Sequence, residues 1–174
     1  TEGQVAGLPA EAVAASAGCG NPTALAGLKS GERVLDLGSG GGIDCFLAAQ
    51  QVGSTGLVVG VDMTTDMVRL ATRNAKVMKL NNVVFLLGEM ERLPLAPDLA
   101  DVVISNCVIC LSTDKDELFR DAFRVLKPGG RMHISDMLLE HGELPQEIKN
   151  EKNLDFHASV GKVCHCKAKW GSSG

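Results

Sequence analysis

The chain has 174 residues, a formal net charge of −4 and 45% hydrophobic residues, enough for one domain with a sizeable apolar core. With a sequence pI near 5.5 and no basic stretch, it offers no electrostatic footprint for nucleic acid or an anionic membrane. Its apolar runs are too short to span a bilayer, and residues 1–15 lack the charged start and apolar run of a signal peptide. Aromatic residues make up only 3% and Tyr is absent, so the core must be built from Leu, Val, Ile, Met and Ala. Cysteines stand at 19, 45, 107, 110, 164 and 166, dispersed through a chain that otherwise reads as a cytoplasmic α/β protein. That dispersal predicts reduced thiols rather than a disulfide framework.

In chain order, an Ala-rich, helix-like stretch runs into the turn-rich Gly18-Cys19-Gly20-Asn21-Pro22. Residues 33–37 form a short apolar run ending at Gly38, which predicts a buried strand and a tight turn. A helix is expected over 43–51, a second strand over 57–61 ending at Asp62, and a helix over 65–80 that Thr64 or Thr65 could cap. Strands follow over 83–87 and 101–105, then a helix over 116–126. Lys127-Pro128-Gly129-Gly130 is a strong turn signal before a fifth strand over 131–135. This alternation predicts a doubly wound, mostly parallel, Rossmann-like sheet of five strands in the order 3-2-1-4-5. The pattern is lost from Asp155 onward, and Trp170-Gly171-Ser172-Ser173-Gly174 reads as a flexible end. The expected organisation is an N-terminal extension over 1–30, a core over 31–140 and a divergent tail over 141–174.

The loop Asp36-Leu37-Gly38-Ser39-Gly40-Gly41-Gly42 follows the first strand and opens a helix. Glycines there let the backbone turn sharply and let a ligand approach without a Cβ in the way. A dinucleotide fingerprint would need glycine at 43, where Ile43 stands. The G-x-G-x-G spacing leaves less room for a pyrophosphate, and the Asp36 carboxylate would repel phosphate and attract an ammonium or sulfonium. Asp62, at the end of the second strand, can accept hydrogen bonds from both ribose hydroxyls. Glu89 is placed for an adenine amino group, with Met90 packing on the ring. The bland alternative, in which the glycines only turn the chain and the acids only cap helices, does not account for the ordered combination of loop, Asp62, Glu89 and the Lys-Pro-Gly-Gly turn.

The segments VLDLGSGGG, GVDMT, LGEMERLPL and RVLKPGGR, in this order, resemble class I S-adenosylmethionine-dependent methyltransferases. By that resemblance Gly38, Ser39 and Gly40 cradle the methionine part of the donor and Asp62 holds its ribose. Met63 flanks the adenine, Glu89 and Met90 meet the adenine edge, and Asn106 lines the same pocket. A narrower resemblance rests on SAGCGNPTALA, GSGGGIDCFLAAQQVG, SNCVICLSTDKDELFRDAFRVLKPGGRMHISD and ELPQEIKN, which are similar to arsenite methyltransferases over roughly residues 12–154. It implies S-adenosyl-L-methionine as cofactor and arsenic(III) as substrate, held by the thiolates of Cys19 and Cys107.

Soft thiolates select soft centres such as arsenic(III), which keeps a lone pair for attack on a methyl group. Each cysteine also has a plainer reading. Cys45, on an apolar helix, is expected to be a small buried hydrophobe. Cys107-Val108-Ile109-Cys110 could be redox-active, or could ligate zinc together with Cys164-His165-Cys166. The resemblance stops near Leu154, and two further strands that complete a methyltransferase sheet are not legible in the tail. The chain therefore reads as truncated or divergent, with an open sheet edge that favours a homodimer. The alternatives carried forward are turnover, a remnant that binds donor, arsenic or zinc without turnover, and methylation of a small organic acceptor.

Overall fold

Near-continuous apolar runs build the centre of the sheet. β1 (Arg33–Leu37), β2 (Leu57–Asp62) and β4 (Ala100–Asn106) bury almost every residue, as strands covered on both faces do. β3 (Val83–Leu87) is only half buried, which suits its place at the sheet edge. The computed structural model describes residues 27–137 and, as backbone, residues 163–169. The N-terminal extension, with Cys19, and most of the tail lie outside the described residues.

The sheet order is β3-β2-β1-β4-β5-β6, and the first five strands are parallel throughout. The expected 3-2-1-4-5 order is therefore what the chain adopts. β5 (Leu126–Met137) starts earlier than expected because Leu126 already pairs with Ala100. The next partners are Arg131 and Val102, so the Lys-Pro-Gly-Gly segment loops out of register, with Gly129 at φ 80°.

One expectation needs correction. The open β5 edge expected from the sequence is covered: β6 (Val163–Lys169) runs antiparallel along it, with Asp136 opposite Cys164 and Ile134 opposite Cys166. Cys164, Cys166 and Ala168 alternate with His165, Lys167 and Lys169, the period of two that suits a strand. The edge expected to favour a homodimer is thus paired within the chain.

Three helices cover the sheet among the described residues. α1 (Ile43–Val52) turns Cys45, Ala48, Ala49 and Val52 onto Val34, Val58, Val102 and Ile104. α3 (Lys115–Val125) packs on the opposite face, where Leu118, Ala122 and Val125 meet Leu35, Leu37, Val59 and Val103. The alternating residues of β1 and β2 therefore feed two separate cores, which makes the sheet doubly wound. α3 is started by Asp114, whose side chain accepts from the Glu117 backbone N–H at 2.9 Å. α2 (Thr65–Val77) ends three residues before the expected limit and sits beside α1, where Phe46 and Ala75 pack together. No helix among the described residues is long and apolar enough to cross a membrane.

Residues 88–99, between β3 and β4, form no helix. They are pinned to α3 instead. Asp121 accepts from the Leu93 backbone N–H at 2.6 Å, and the Arg124 guanidinium donates to the carbonyls of Leu95 at 2.8 Å and Leu93 at 3.2 Å. Asp121 and Arg124 are themselves paired at 2.6 Å.

Phe46 is fully buried and meets Phe85 edge-on, with ring centroids 5.9 Å apart. Phe46→Ala should destabilise the chain by about 3–5 kcal/mol in urea denaturation. A loss below about 1 kcal/mol would contradict the packing of α1 against the sheet.

Candidate functional site at the carboxyl ends of the strands

β1 and β2 end side by side, and the glycine loop is built on both. The backbone N–H groups of Gly38 and Ser39 donate to the Val61 carbonyl at 2.8 and 3.1 Å. The Asp62 carboxylate then accepts from Gly40 N–H at 2.9 Å and from Thr64 N–H at 2.8 Å. A single side chain thereby fixes the loop to the start of α2. Gly40 sits at φ 49°, and a Cβ built on it would meet none of the described residues within 4 Å, so among them the loop is open on that side. Gly42, at φ 90°, is different: a Cβ there would come within 2.7 Å of the Phe46 ring. It lets the loop pass directly into α1. The Ser39 hydroxyl is buried with no hydrogen-bond partner among the described residues, an orphan that a bound polar group would satisfy.

Carboxyl groups converge beneath this loop. Asp36 is fully enclosed and accepts the Cys45 thiol at 3.1 Å. Burial holds its carboxyl well above the usual range, the nearby Asp44 and Asp62 push it further up, and the Cys45 thiol acts against them. Burial also raises Asp44, opposed by the Asn106 amide, which donates to it at 3.1 Å. The Cys45 thiol is itself driven up, first by burial and then by Asp36. Cys45 is thus buried, as its sequence context implies, but it is also a donor. Asp44 was not singled out from sequence. Its signal was its place in the first turn of a helix opened by glycines.

The remaining expected residues divide. Met63, just past the end of β2, is 68% exposed. Glu89 is exposed, and its carbonyl accepts from the Arg92 N–H at 3.3 Å. Met90 is buried within the core beside Leu93. Asn106 joins the site through Asp44. Just past it, Cys107 takes a left-handed φ of 55°, which a non-glycine residue adopts only where its surroundings enforce it, and donates its N–H to the Ser135 carbonyl at 2.7 Å. Val108 then fills the space over Gly38, where a Cβ would lie 2.4 Å from its methyl. The expectation of reduced thiols holds for Cys45 and Cys110 and fails at Cys107, which is disulfide-bonded. No group of three or more His, Cys, Asp or Glu side chains among the described residues forms a metal cluster.

This arrangement, a parallel sheet whose first glycine loop is clamped by the acid ending β2, is matched by the family model for a methyltransferase domain over residues 28–172. The chain belongs to the methyltransferase domain family. Its relatives narrow the class: it is 52% identical over 132 residues to an arsenite methyltransferase of Halobacterium salinarum, covering 76% of this chain and 34% of that one. The human arsenite methyltransferase is 41% identical over 130 residues, covering 70% of this chain and 35% of its own. Among solved structures, an arsenic(III) S-adenosylmethionine methyltransferase from Chlamydomonas reinhardtii superposes with a TM-score of 0.73 at 40% identity, covering 88% of this chain and 53% of that one. The chain spans about a third of the length of these two curated relatives.

Asp36 supplies a test. Its raised pKa means that the native state favours the protonated carboxyl. The associated stability is complete below the ordinary carboxylate range and is lost as pH rises through the raised value. Asp36→Asn, which keeps an acceptor for Cys45, should therefore melt higher than the parent chain at neutral pH. The gap should close toward about pH 4. Thermal denaturation of both proteins across pH checks this, and a pH-independent difference would contradict it.

Proposed function

We propose that the chain is the donor-binding part of an S-adenosylmethionine-dependent methyltransferase whose substrate is trivalent arsenic. The observation that carries the reading is the glycine loop held open by Asp62. The names of the arsenite methyltransferase relatives carry the choice of substrate. The residues fit the donor. The loop has space above Gly40 and an unsatisfied Ser39 hydroxyl, and the buried carboxyls of Asp36 and Asp44, which burial raises, would gain from a cationic sulfonium the counter-charge that favours their ionised form.

In this reading Gly38, Ser39 and Gly40 hold the methionine part, with Asp36 behind them. Asp62 takes the ribose, Met63, Glu89 and Met90 serve the adenine, and Asn106 lines the pocket through its bond to Asp44. With Met90 buried in the core, Met63 is the better placed of the two methionines to lie against the ring. When bound, S-adenosylmethionine supplies an electrophilic methyl group.

Cys19 and Cys107 hold the arsenic as thiolates. Arsenic(III) bound this way is pyramidal and keeps its lone pair, so no general base is needed. The work of the chain is orientation and exclusion of water. Cys107 can serve only as a free thiol, so arsenic binding depends on a reducing thiol such as glutathione.

Asp62→Ala removes both the ribose acceptor and the loop tether. Calorimetry with S-adenosylhomocysteine should find affinity lowered by about 1.5–3 kcal/mol, roughly ten- to more than a hundredfold. Equal affinity in both proteins would refute the assignment. Arsenite titration of Cys19→Ser and Cys107→Ser tests the substrate, and binding unaffected by both changes would return it to an unspecified methyl acceptor.

A further inference from the structure

Among the described cysteines, two are free of disulfides, and their surroundings differ. Cys45 is sealed in the core, with its thiol committed to Asp36. Cys110 is half buried, on the 3-10 turn Ile109–Leu111, which Val108 separates from Cys107. Its Sγ lies 4.0 Å from the Cys107 carbonyl oxygen, so the turn folds Cys110 back toward Cys107. Asp136 fixes it there: its carboxylate accepts the Cys110 backbone N–H at 3.0 Å and is hydrogen-bonded by the thiol. Burial and Asp136 both raise this thiol. The left-handed Cys107 and the ordered turn after it place two sulfurs of a C-x-x-C on one short, doubly anchored segment.

The geometry points to Cys107 and Cys110 as a dithiol that chelates a trivalent arsenical, with Cys110 as a ligand in its own right. This rests on the proposed arsenic substrate and adds a ligand to it. The chemistry balances without a further oxidant. An external thiol pair first reduces the Cys107 disulfide by two electrons and is itself oxidised to a disulfide. Each cysteine then replaces one hydroxyl on arsenic: a sulfur–arsenic bond forms, an arsenic–oxygen bond breaks, and the thiol proton leaves with the hydroxyl as water. Asp136 is placed to accept the Cys110 proton on the way. Two thiolates occupy two of the three positions on arsenic, leaving one for Cys19 or a small thiol.

Phenylarsine oxide, which takes two thiols, is a suitable probe. Trypsin releases residues 93–115 as a peptide carrying Cys107 and Cys110 and no other cysteine, and residues 1–29 as a peptide carrying Cys19 alone. The full chain, reduced with a phosphine and freed of reductant, is treated with one equivalent of the probe, digested and read by mass spectrometry. The expected product is peptide 93–115 with a single phenylarsenic group replacing two thiol hydrogens. Arsenic found only as a bridge between peptides 93–115 and 1–29 overturns the Cys110 assignment while leaving the proposed function standing. Peptide 93–115 free of arsenic overturns the Cys110 assignment and the proposed arsenic substrate together. In parallel, Cys110→Ser, which keeps a hydroxyl for Asp136, should lower arsenite affinity roughly tenfold or more through loss of the chelate. Parental affinity in a Cys110→Ser protein that melts like the parent would overturn the proposal on its own.

Discussion

The site depends on one carboxylate. Asp62 ends β2 and spends both of its oxygens on backbone amides, one in the glycine loop and one at the start of α2. Without it the loop would keep its bonds to the Val61 carbonyl, but its three left-handed glycines would lose the contact that selects one arrangement. An acceptor already engaged with two donors can still take a ligand hydrogen bond, because a carboxylate has about four lone-pair sites. The residue that shapes the loop can therefore also serve the ligand.

Beneath the loop lies a chain of polar contacts that a sheet interior would not otherwise contain. Asn106 donates to Asp44, and the Cys45 thiol to Asp36. Burying carboxyls this close costs free energy in the absence of a cation. The raised pKa of Asp36 is the form that cost takes. The sheet topology makes the juxtaposition possible. β1 is flanked by β2 and β4, so the loops after these three strands meet at one edge, each bringing a residue of different chemistry.

The fold was legible because periodicity reports burial. The apolar runs of β1, β2 and β4 and the helical spacing of Leu118, Ala122 and Val125 leave few alternatives. β6 was missed because its cysteines invited a reading as ligands, which hid an alternation that a strand needs. At the site, Asp36, Gly38, Ser39, Gly40 and Asp62 were legible from their order, and the structure brings them together. Met90 reads from sequence as a ring-packing residue, yet its side chain enters the core, a choice set by tertiary packing with Leu93. Asp44 escaped notice because an acid in a first helical turn has an ordinary explanation. The disulfide at Cys107 was invisible, since composition indicates a compartment and not which sulfurs meet.

The connection between β3 and β4 carries a last consequence. Asp121 and Arg124 grip it at Leu93 and Leu95, and the Ser112 hydroxyl donates to Glu91 at 2.5 Å. Glu89 is thus displayed on a segment whose conformational freedom was surrendered during folding. A loose loop would have to be ordered at the moment of binding, and that entropic penalty would be subtracted from affinity. Here the helix behind the sheet has absorbed it in advance. The same contact at Ser112 ties the segment to the turn that follows Cys107, so the two segments are preorganised as one unit.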